Sequence, residues 1–324
     1  MAEAIVLREH GGAAVLRSEK IEVGRPGPGE LRIRQTAVGV NFHDVYVRSG
    51  LYRTLPLPGI PGIEAAGVVE EVGAGVTGFA AGDHVAYITA SYGAYASVRT
   101  LRAELAIRLP PGITDQLAAT VLLKGLTAEM LVRQVHPVKA RDLVLVHAAA
   151  GGVGRLLCQW ASHLGATVIG TVGSSAKAEV ARSAGCAHTI LYREENFVER
   201  VRDISGGRGV DVAYDSVGKD TFQGSLDSLA IRGHLVNFGQ SSGSVAPFEV
   251  ARLAPRSNSL TRPGIFHYVT QRADLEKMAA ALFDAIHRGV LKVEAGKSYP
   301  LAAASAAHEA LEARRASGPV LLLP

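Results

Sequence analysis

The sequence predicts an α/β protein in which a doubly wound parallel sheet is inserted into a mainly-β domain. Three observations carry this. From about residue 140 onward, short apolar strands alternate with amphipathic helices, the pattern of a parallel sheet covered on both faces. Residues 1 to about 120 read mostly as strand and turn. The tail beyond about residue 260 is too short for a domain of its own and is expected to return to the first. The expected division is therefore 1–120 plus 260–324 around an inserted 121–259.

Each element has its own signal. Ala4-Ile5-Val6-Leu7 is a short strand, and Leu31 to Val38 alternates apolar and polar residues as a half-buried strand does, after the turn cluster Pro26-Gly27-Pro28-Gly29. Pro56, Pro58, Gly59, Pro61 and Gly62 make a loop; Val68–Val72 and His84–Ile88 are further strands. Asp115–Gln134 has helical spacing through Leu117, Val121, Leu122, Leu126, Met130 and Leu131. Leu143–His147 is a continuous apolar strand, suited to burial on both faces. The strands Thr167–Val172, His188–Leu191, Val210–Tyr214 and Leu235–Phe238 then alternate with helices over 152–164, 176–184, 196–205 and 220–229. The tail reads as a helix over 272–288, a short strand Lys292–Glu294, a helix over 302–315 and a last strand Val320–Leu323.

Composition narrows the class. With 324 residues, 48% apolar and 20% charged, the chain is globular. Its 34 basic against 30 acidic residues leave a charge of +4, too little to demand a nucleic acid, and basic and aromatic residues are not interleaved. Only Cys158 and Cys186 are present, which excludes a disulfide framework and a cysteine-rich zinc module. Both read as small buried hydrophobes. Glu3, Arg8 and Glu9 interrupt the first residues, unlike a secretory signal, and no apolar run reaches the about 18 residues of a membrane span. A cytoplasmic, reducing setting is expected.

The chemistry is carried by Ala148-Ala149-Ala150-Gly151-Gly152-Val153-Gly154, between a strand and a helix. Aligned on Gly154 it is A-x-G-x-x-G, a dinucleotide fingerprint. Small residues allow the tight turn, the central glycine lets backbone approach a pyrophosphate, and Gly154 lets helix and strand pack closely. A site for NADH places Asp or Glu at the end of the second strand, about 20 residues on. Here Gly173-Ser174-Ser175-Ala176-Lys177 stands instead, and no carboxylate appears before Glu179. Hydroxyls and a lysine suit a 2′-phosphate, with Tyr192 and Arg193 able to flank the same end, so NADPH is expected. The alternative is that Ser174 is only a helix N-cap and Lys177 only a solvated lysine. Ser216, Val217 and Gly218, with Phe238, Gly239, Gln240 and Ser241, follow later strands and are expected to border the nicotinamide half, or else are ordinary turns.

With these residues in hand the chain resembles the medium-chain dehydrogenase/reductase superfamily, and within it the zinc-independent quinone oxidoreductases of the zeta-crystallin-like group. The resemblance spans the whole chain. It rests on Gly39–Tyr52, Gly62–Gly67, Lys124–Thr127, His147–Gly154, Tyr214–Gly218 and Thr261–Pro263. It implies a GroES-like catalytic domain built from both chain ends around a Rossmann domain, with NADPH in the cleft. It also implies a homodimer joined through the edge strands of the nucleotide domains. Zinc-dependent relatives place Cys where this chain has Asn41 and His where it has Ile63. Neither can supply those ligands, so no metal is expected.

The resemblance further implies direct hydride transfer from nicotinamide C4 to a quinone. A quinone needs little activation, so orientation, exclusion of water and a donor near the developing oxyanion suffice. Asn41, Tyr46 and Tyr52 are the candidates that line the acceptor, with the Tyr52 phenol as donor; each tyrosine also reads as a half-buried packing residue. Asn41, Thr127, Arg262 and Arg314 match positions close to the cofactor, though Arg314 also suits the last turn of a helix. Asp44 has a rival reading as a structural acceptor, and none of the eleven histidines is assigned a catalytic role. The arginine-rich segment from Ala251 to Tyr268, with Arg252, Arg256 and Arg262, is expected beside the substrate mouth. Two rival functions stand beside quinone reduction. One is an NADPH-dependent enone or enoyl-thioester reductase; the other is a non-catalytic NADPH- or RNA-binding protein.

Overall fold

The computed structural model describes residues 1–294, 296–313 and 318–324. The chain begins with β1 (Ala2–Leu7), β2 (Leu16–Ile21), β3 (Glu30–Val40), α1 (Phe42–Ser49), β4 (Glu64–Val72), β5 (His84–Ile88), β6 (Val98–Arg102) and β7 (Ala106–Arg108). Next comes α2 (Asp115–Met130), which ends in a π-helical turn over Leu131–Val135. Strands and helices then alternate: β8 (Leu143–Val146), α3 (Gly152–His163), β9 (Thr167–Val172), α4 (Ser175–Ser183), β10 (His188–Leu191), α5 (Phe197–Ile204), β11 (Val210–Asp215), α6 (Phe222–Asp227), β12 (Leu229–Asn237) and β13 (Ser259–Thr261). The described tail holds α7 (Arg272–His287), β14 (Lys297–Pro300), α8 (Ala304–Glu312) and β15 (Val320–Leu323).

These elements form two compact units. The first comprises 1–123, 269–283 and 293–324; the second comprises 124–268 and 284–292. Residues 260–268 and 284–292 thus depart from the expected division. The cause is local: β13 pairs with β12 through Leu235↔Leu260, and Gln159 on α3 holds both backbone groups of Lys292.

In the first unit, a sheet runs in the order β14-β15-β3-β4-β5-β7, with β6 also paired to β3. β3 is its spine; Leu31, Ile33, Val38 and Val40 are buried, while Arg32 and Arg34 reach outward to Glu70. The one polar side chain that β3 buries deeply, Gln35, is satisfied on both ends. It donates to Ala94 O and Ala96 O and accepts from the Tyr87 hydroxyl, as a buried amide must.

In the second unit, the parallel sheet has the order β10-β9-β8-β11-β12-β13. Chain direction across the sheet reverses between β8 and β11, which is where doubly wound sheets bind ligands. Leu145, Ile169, Ala213 and Leu235 pack with Ile190, Val201 and Phe222 in one core. Coverage on both faces explains why these strands read as unbroken apolar runs.

Several elements differ from expectation. α1 falls in a stretch read as strand and turn. Residues 292–294 are not a strand, because Gln159 takes the Lys292 amide at 2.6 Å; the ladder instead forms at β14, parallel to β15. β12 starts at Leu229, six residues earlier than Leu235, which shortens α6. The last helix starts later, since Leu301–Ala303 form a 3₁₀ turn before α8; residues 314 and 315 of the expected helix lie outside the described ones.

Candidate active site

In the second unit, β8 leads through Ala148, held at φ +50°, into the first turn of α3. The N-cap is Gly151, extended at φ −80° and ψ 174°, with no side-chain cap. The first amides of α3 therefore keep their donors for a ligand, and the helix dipole adds positive potential there. Gly151 and Gly152 are exposed and Val153 is half-buried. Gly154 is buried, and a Cβ there would overlap Ala148 O. This is the close helix–strand contact that the fingerprint requires. The cradle fits a dinucleotide pyrophosphate.

The end of β9 fits a 2′-phosphate. Ser174 is the N-cap of α4, its Oγ accepting from the Lys177 amide at 3.4 Å, so the capping reading holds; the hydroxyl remains exposed. Gly173 lies beneath two side chains from the end of β10: a Cβ on it would sit 2.8 Å from Tyr192 Oη and 3.5 Å from Arg193 Nε. The first carboxylate after the strand, Glu179, is paired with Arg182 one turn further along α4. Hydroxyls and cations thus gather around Gly173.

The loops after β11 and β12 are laced together. Phe238 N donates to Asp215 O (2.8 Å), Ser241 N to Ser216 O (3.2 Å) and Ser242 N to Val217 O (2.9 Å). A Cβ on Gly239 would lie 2.6 Å from Ser216 O. The lacing thus brings Ser216, Val217, Phe238, Gly239 and Ser241 together at the carboxyl ends of the strands. Arg262 donates to Asn237 O at 2.9 Å beside them. Thr127 is half-buried on α2. Arg314 lies outside the described residues.

Beneath the loops, fully buried Asp215 accepts from Val217 N (2.8 Å), Gly218 N (3.0 Å), Thr221 Oγ1 (2.8 Å) and Ser225 Oγ (3.0 Å). His147 bridges Thr171 Oγ1 and Ser225 Oγ, each at 2.9 Å, and burial lowers its pKa. It is a satisfied core histidine. In the arginine-rich segment, Arg256 donates to Leu229 O and Arg252 lies over Phe248, so both guanidinium groups have structural partners.

In the first unit, Asn41 follows β3 and caps α1. Its backbone N–H donates to Asp44 Oδ2 at 2.8 Å, and its Nδ2 donates to Glu64 Oε2 at 2.9 Å. Glu64 is fully buried, and its other oxygen accepts the Leu123 amide at 2.7 Å. Asp44 therefore has the structural role of its rival reading. Tyr46 and Tyr52 are half-buried and pack edge to face at 5.2 Å between centroids. The aromatic row continues from Tyr52 to His43 (5.5 Å) and from His43 to Tyr92 (5.9 Å), with His43 Nε2 3.2 Å from Tyr92 Oη. Burial lowers the His43 pKa to about 4, so the ring is neutral near pH 7. Ile63 is buried, with no ligating atom. Among the described residues no three His, Cys, Asp or Glu side chains are grouped to hold a metal.

Sequence reasoning passed over His43, Glu64, Tyr92, Tyr95 and His308 as members of this constellation. Glu64 lies within a family motif, which was the available signal. Tyr95 and His308 reach α1 from positions distant in the chain, and nothing local announces them.

Comparison with known proteins agrees with this fold. Residues 27–142 match the alcohol dehydrogenase GroES-like domain, and 152–284 match the zinc-binding dehydrogenase domain. The chain is 46% identical to a 2-haloacrylate reductase of a Burkholderia species, covering 100% of this chain and 99% of that protein. It is 45% identical to quinone oxidoreductase 1 of Escherichia coli, covering all of both. A crystal structure of Escherichia coli quinone oxidoreductase complexed with NADPH superimposes with a TM-score of 0.97, at 44% identity and full coverage of both chains. No helix among the described residues is long and apolar enough to cross a membrane.

Proposed function

The chain belongs to the quinone oxidoreductases of the medium-chain dehydrogenase/reductase superfamily, and we propose from its site that it reduces a quinone with NADPH by direct hydride transfer, without metal. The observation that carries the cofactor choice is the grouping of Ser174, Tyr192 and Arg193 around Gly173. Full-length likeness to quinone oxidoreductases carries the choice of acceptor.

When bound, NADPH supplies the hydride at nicotinamide C4. The amides of Gly152 and Val153 hold the pyrophosphate, with Gly151 keeping the approach open. Gly173, Ser174, Lys177 and Tyr192 receive the 2′-phosphate. Thr127, Ser216, Val217, Phe238, Gly239, Ser241 and Arg262 border the nicotinamide half, and Arg314 contributes from the chain end. Asn41, Tyr46 and Tyr52 line the acceptor. The Tyr52 phenol donates to the quinone oxygen as charge develops there, and water supplies the proton that completes the hydroquinone. The protein works as a cytoplasmic homodimer joined through the edge strands of the parallel sheet. No nucleic-acid or membrane partner enters this reading.

Similarity to a 2-haloacrylate reductase favours a second reading, in which the acceptor is a polarised carbon–carbon double bond. Anaerobic mixing of the NADPH-loaded protein with 1,4-benzoquinone in excess chelator tests the first. The reading requires one NADPH oxidised per site in a single turnover. Oxidation that stops under chelator and returns with zinc would reject it.

A further inference from the structure

Of the three proposed acceptor residues, Asn41 caps α1, Tyr46 lies on it and Tyr52 follows its C-terminal Gly50, so the first turn of α1 must be held in place. The holding group is a hydrogen-bonded chain of four side chains from three parts of the first unit. Arg48 Nη1 lies 3.3 Å from His308 Nδ1; His308 Nε2 lies 2.9 Å from Tyr95 Oη; Tyr95 Oη lies 3.2 Å from Asp44 Oδ2. Asp44, Tyr95 and His308 are fully buried, and Arg48 is 3% exposed.

Chemistry gives the chain a direction. A guanidinium only donates, so the His308 nitrogen that faces Arg48 must be bare, and the ring proton sits on Nε2. Nε2–H then donates to the Tyr95 oxygen, which frees the phenol proton for Asp44. Asp44 receives this proton and the Asn41 amide on one oxygen. Arg48 does not release a proton, so the chain orients and does not conduct. Its charge is matched by Glu312 in a bidentate pair, both contacts 2.8 Å.

We propose that His308 is a positioning residue of the acceptor site: it locks the polarity of a buried hydrogen-bonded chain that ends on Asp44 and so fixes Asn41 and the first turn of α1. This rests on the reading that α1 carries the acceptor site. Burial lowers the His308 pKa to about 3, and burial with the nearby Asp44 charge pushes Tyr95 well up, so neither changes charge in the working range. The charged groups that face Tyr95 are Asp44, Arg48 and Glu64. Removing the Tyr95 donor takes one hydrogen bond from Asp44, and a looser Asp44 holds Asn41 less firmly.

The test uses full-length protein carrying Tyr95→Phe, His308→Leu or His308→Gln. Losing a hydrogen bond to a charged group corresponds to about ten- to hundred-fold. Tyr95→Phe and His308→Leu are expected to lower kcat on 1,4-benzoquinone by about tenfold or more. They are also expected to leave NADPH affinity unchanged. His308→Gln, whose amide can still donate to Tyr95, recovers most of the loss. Where His308→Leu fails to fold, Tyr95→Phe, which removes one oxygen, still decides. ¹⁵N NMR of the wild-type imidazoles, with His308 assigned by its loss in His308→Gln, is expected to show a neutral Nε2–H tautomer from pH 5 to 8. A proton on Nδ1, or an unchanged kcat in Tyr95→Phe, overturns the proposal. Should the wild type reduce no quinone, the NMR experiment still decides the lock, and only the acceptor reading fails.

Discussion

Asn41 donates its side-chain amide to the buried carboxylate of Glu64 at 2.9 Å, so a residue at the mouth of α1 is held by a charge in the core of the first unit. Gly39 makes the approach possible, because a Cβ there would overlap both Ala119 O and Glu64 Oε2. Glu64→Gln offers one acceptor to two donors, Asn41 Nδ2 and Leu123 N. The expected cost is about 1–3 kcal/mol in urea unfolding. The variant is also expected to lose quinone turnover while its NADPH affinity stays near wild type.

The glycines of the loop are not equivalent. A Cβ on Gly154 would strike the rigid carbonyl of Ala148, whereas one on Gly152 would meet the Lys124 side chain, 3.1 Å from Cδ, which can move. Gly154→Ala is expected to abolish NADPH binding in a fluorescence titration and to lower the melting temperature. Gly152→Ala is expected to fold as wild type.

Lys177→Ala is expected to weaken NADPH by about tenfold, the effect of losing one charged contact, and to leave NADH unchanged. Comparing the two cofactors cancels any general damage to the fold.

Buried histidines make stability depend on pH. The pKa values of His43 and His234 are lowered to about 4, and that of His308 to about 3, in each case mainly by burial. The unfolded chain takes up protons near the ordinary value of 6.5, while the folded one resists. Stability is therefore full above about pH 6.5 and falls as the pH drops toward 4. Each group accounts for about 1–2 kcal/mol at pH 5, with the half-buried His234 at the low end. Urea midpoints at pH 7.5 and pH 5 measure this; equal midpoints would contradict it.

Cys158 and Cys186 lie 3.3 Å apart with both side chains buried, and the Cys158 thiol is pushed well up by its neighbour and by burial. No thiol is expected to react with Ellman's reagent in the native protein, and both are expected to react after unfolding.

The second unit was readable because its signals are local. Leu143–Val146, the glycine loop and the missing acid before Glu179 lie within a few residues of what they determine. α1 was not readable by period. It is eight residues long, and it buries Asp44 and Arg48 beside Val45 and Val47, which breaks any apolar stripe. Its one local signal is an asparagine three residues before an aspartate, a reciprocal cap. The partners that give those buried charges a purpose, Tyr95 and His308, come from distant parts of the chain. The strand assigned to Lys292–Glu294 failed for a related reason: a side chain from α3 captured the backbone that a ladder would have used.

The most direct test compares kcat/KM for 1,4-benzoquinone, a simple enone and 2-chloroacrylate at saturating NADPH, with NADH as the control donor. The account predicts that the quinone leads and that NADPH far exceeds NADH. Turnover of only the enone or 2-chloroacrylate would keep the fold and the cofactor site and contradict the quinone assignment.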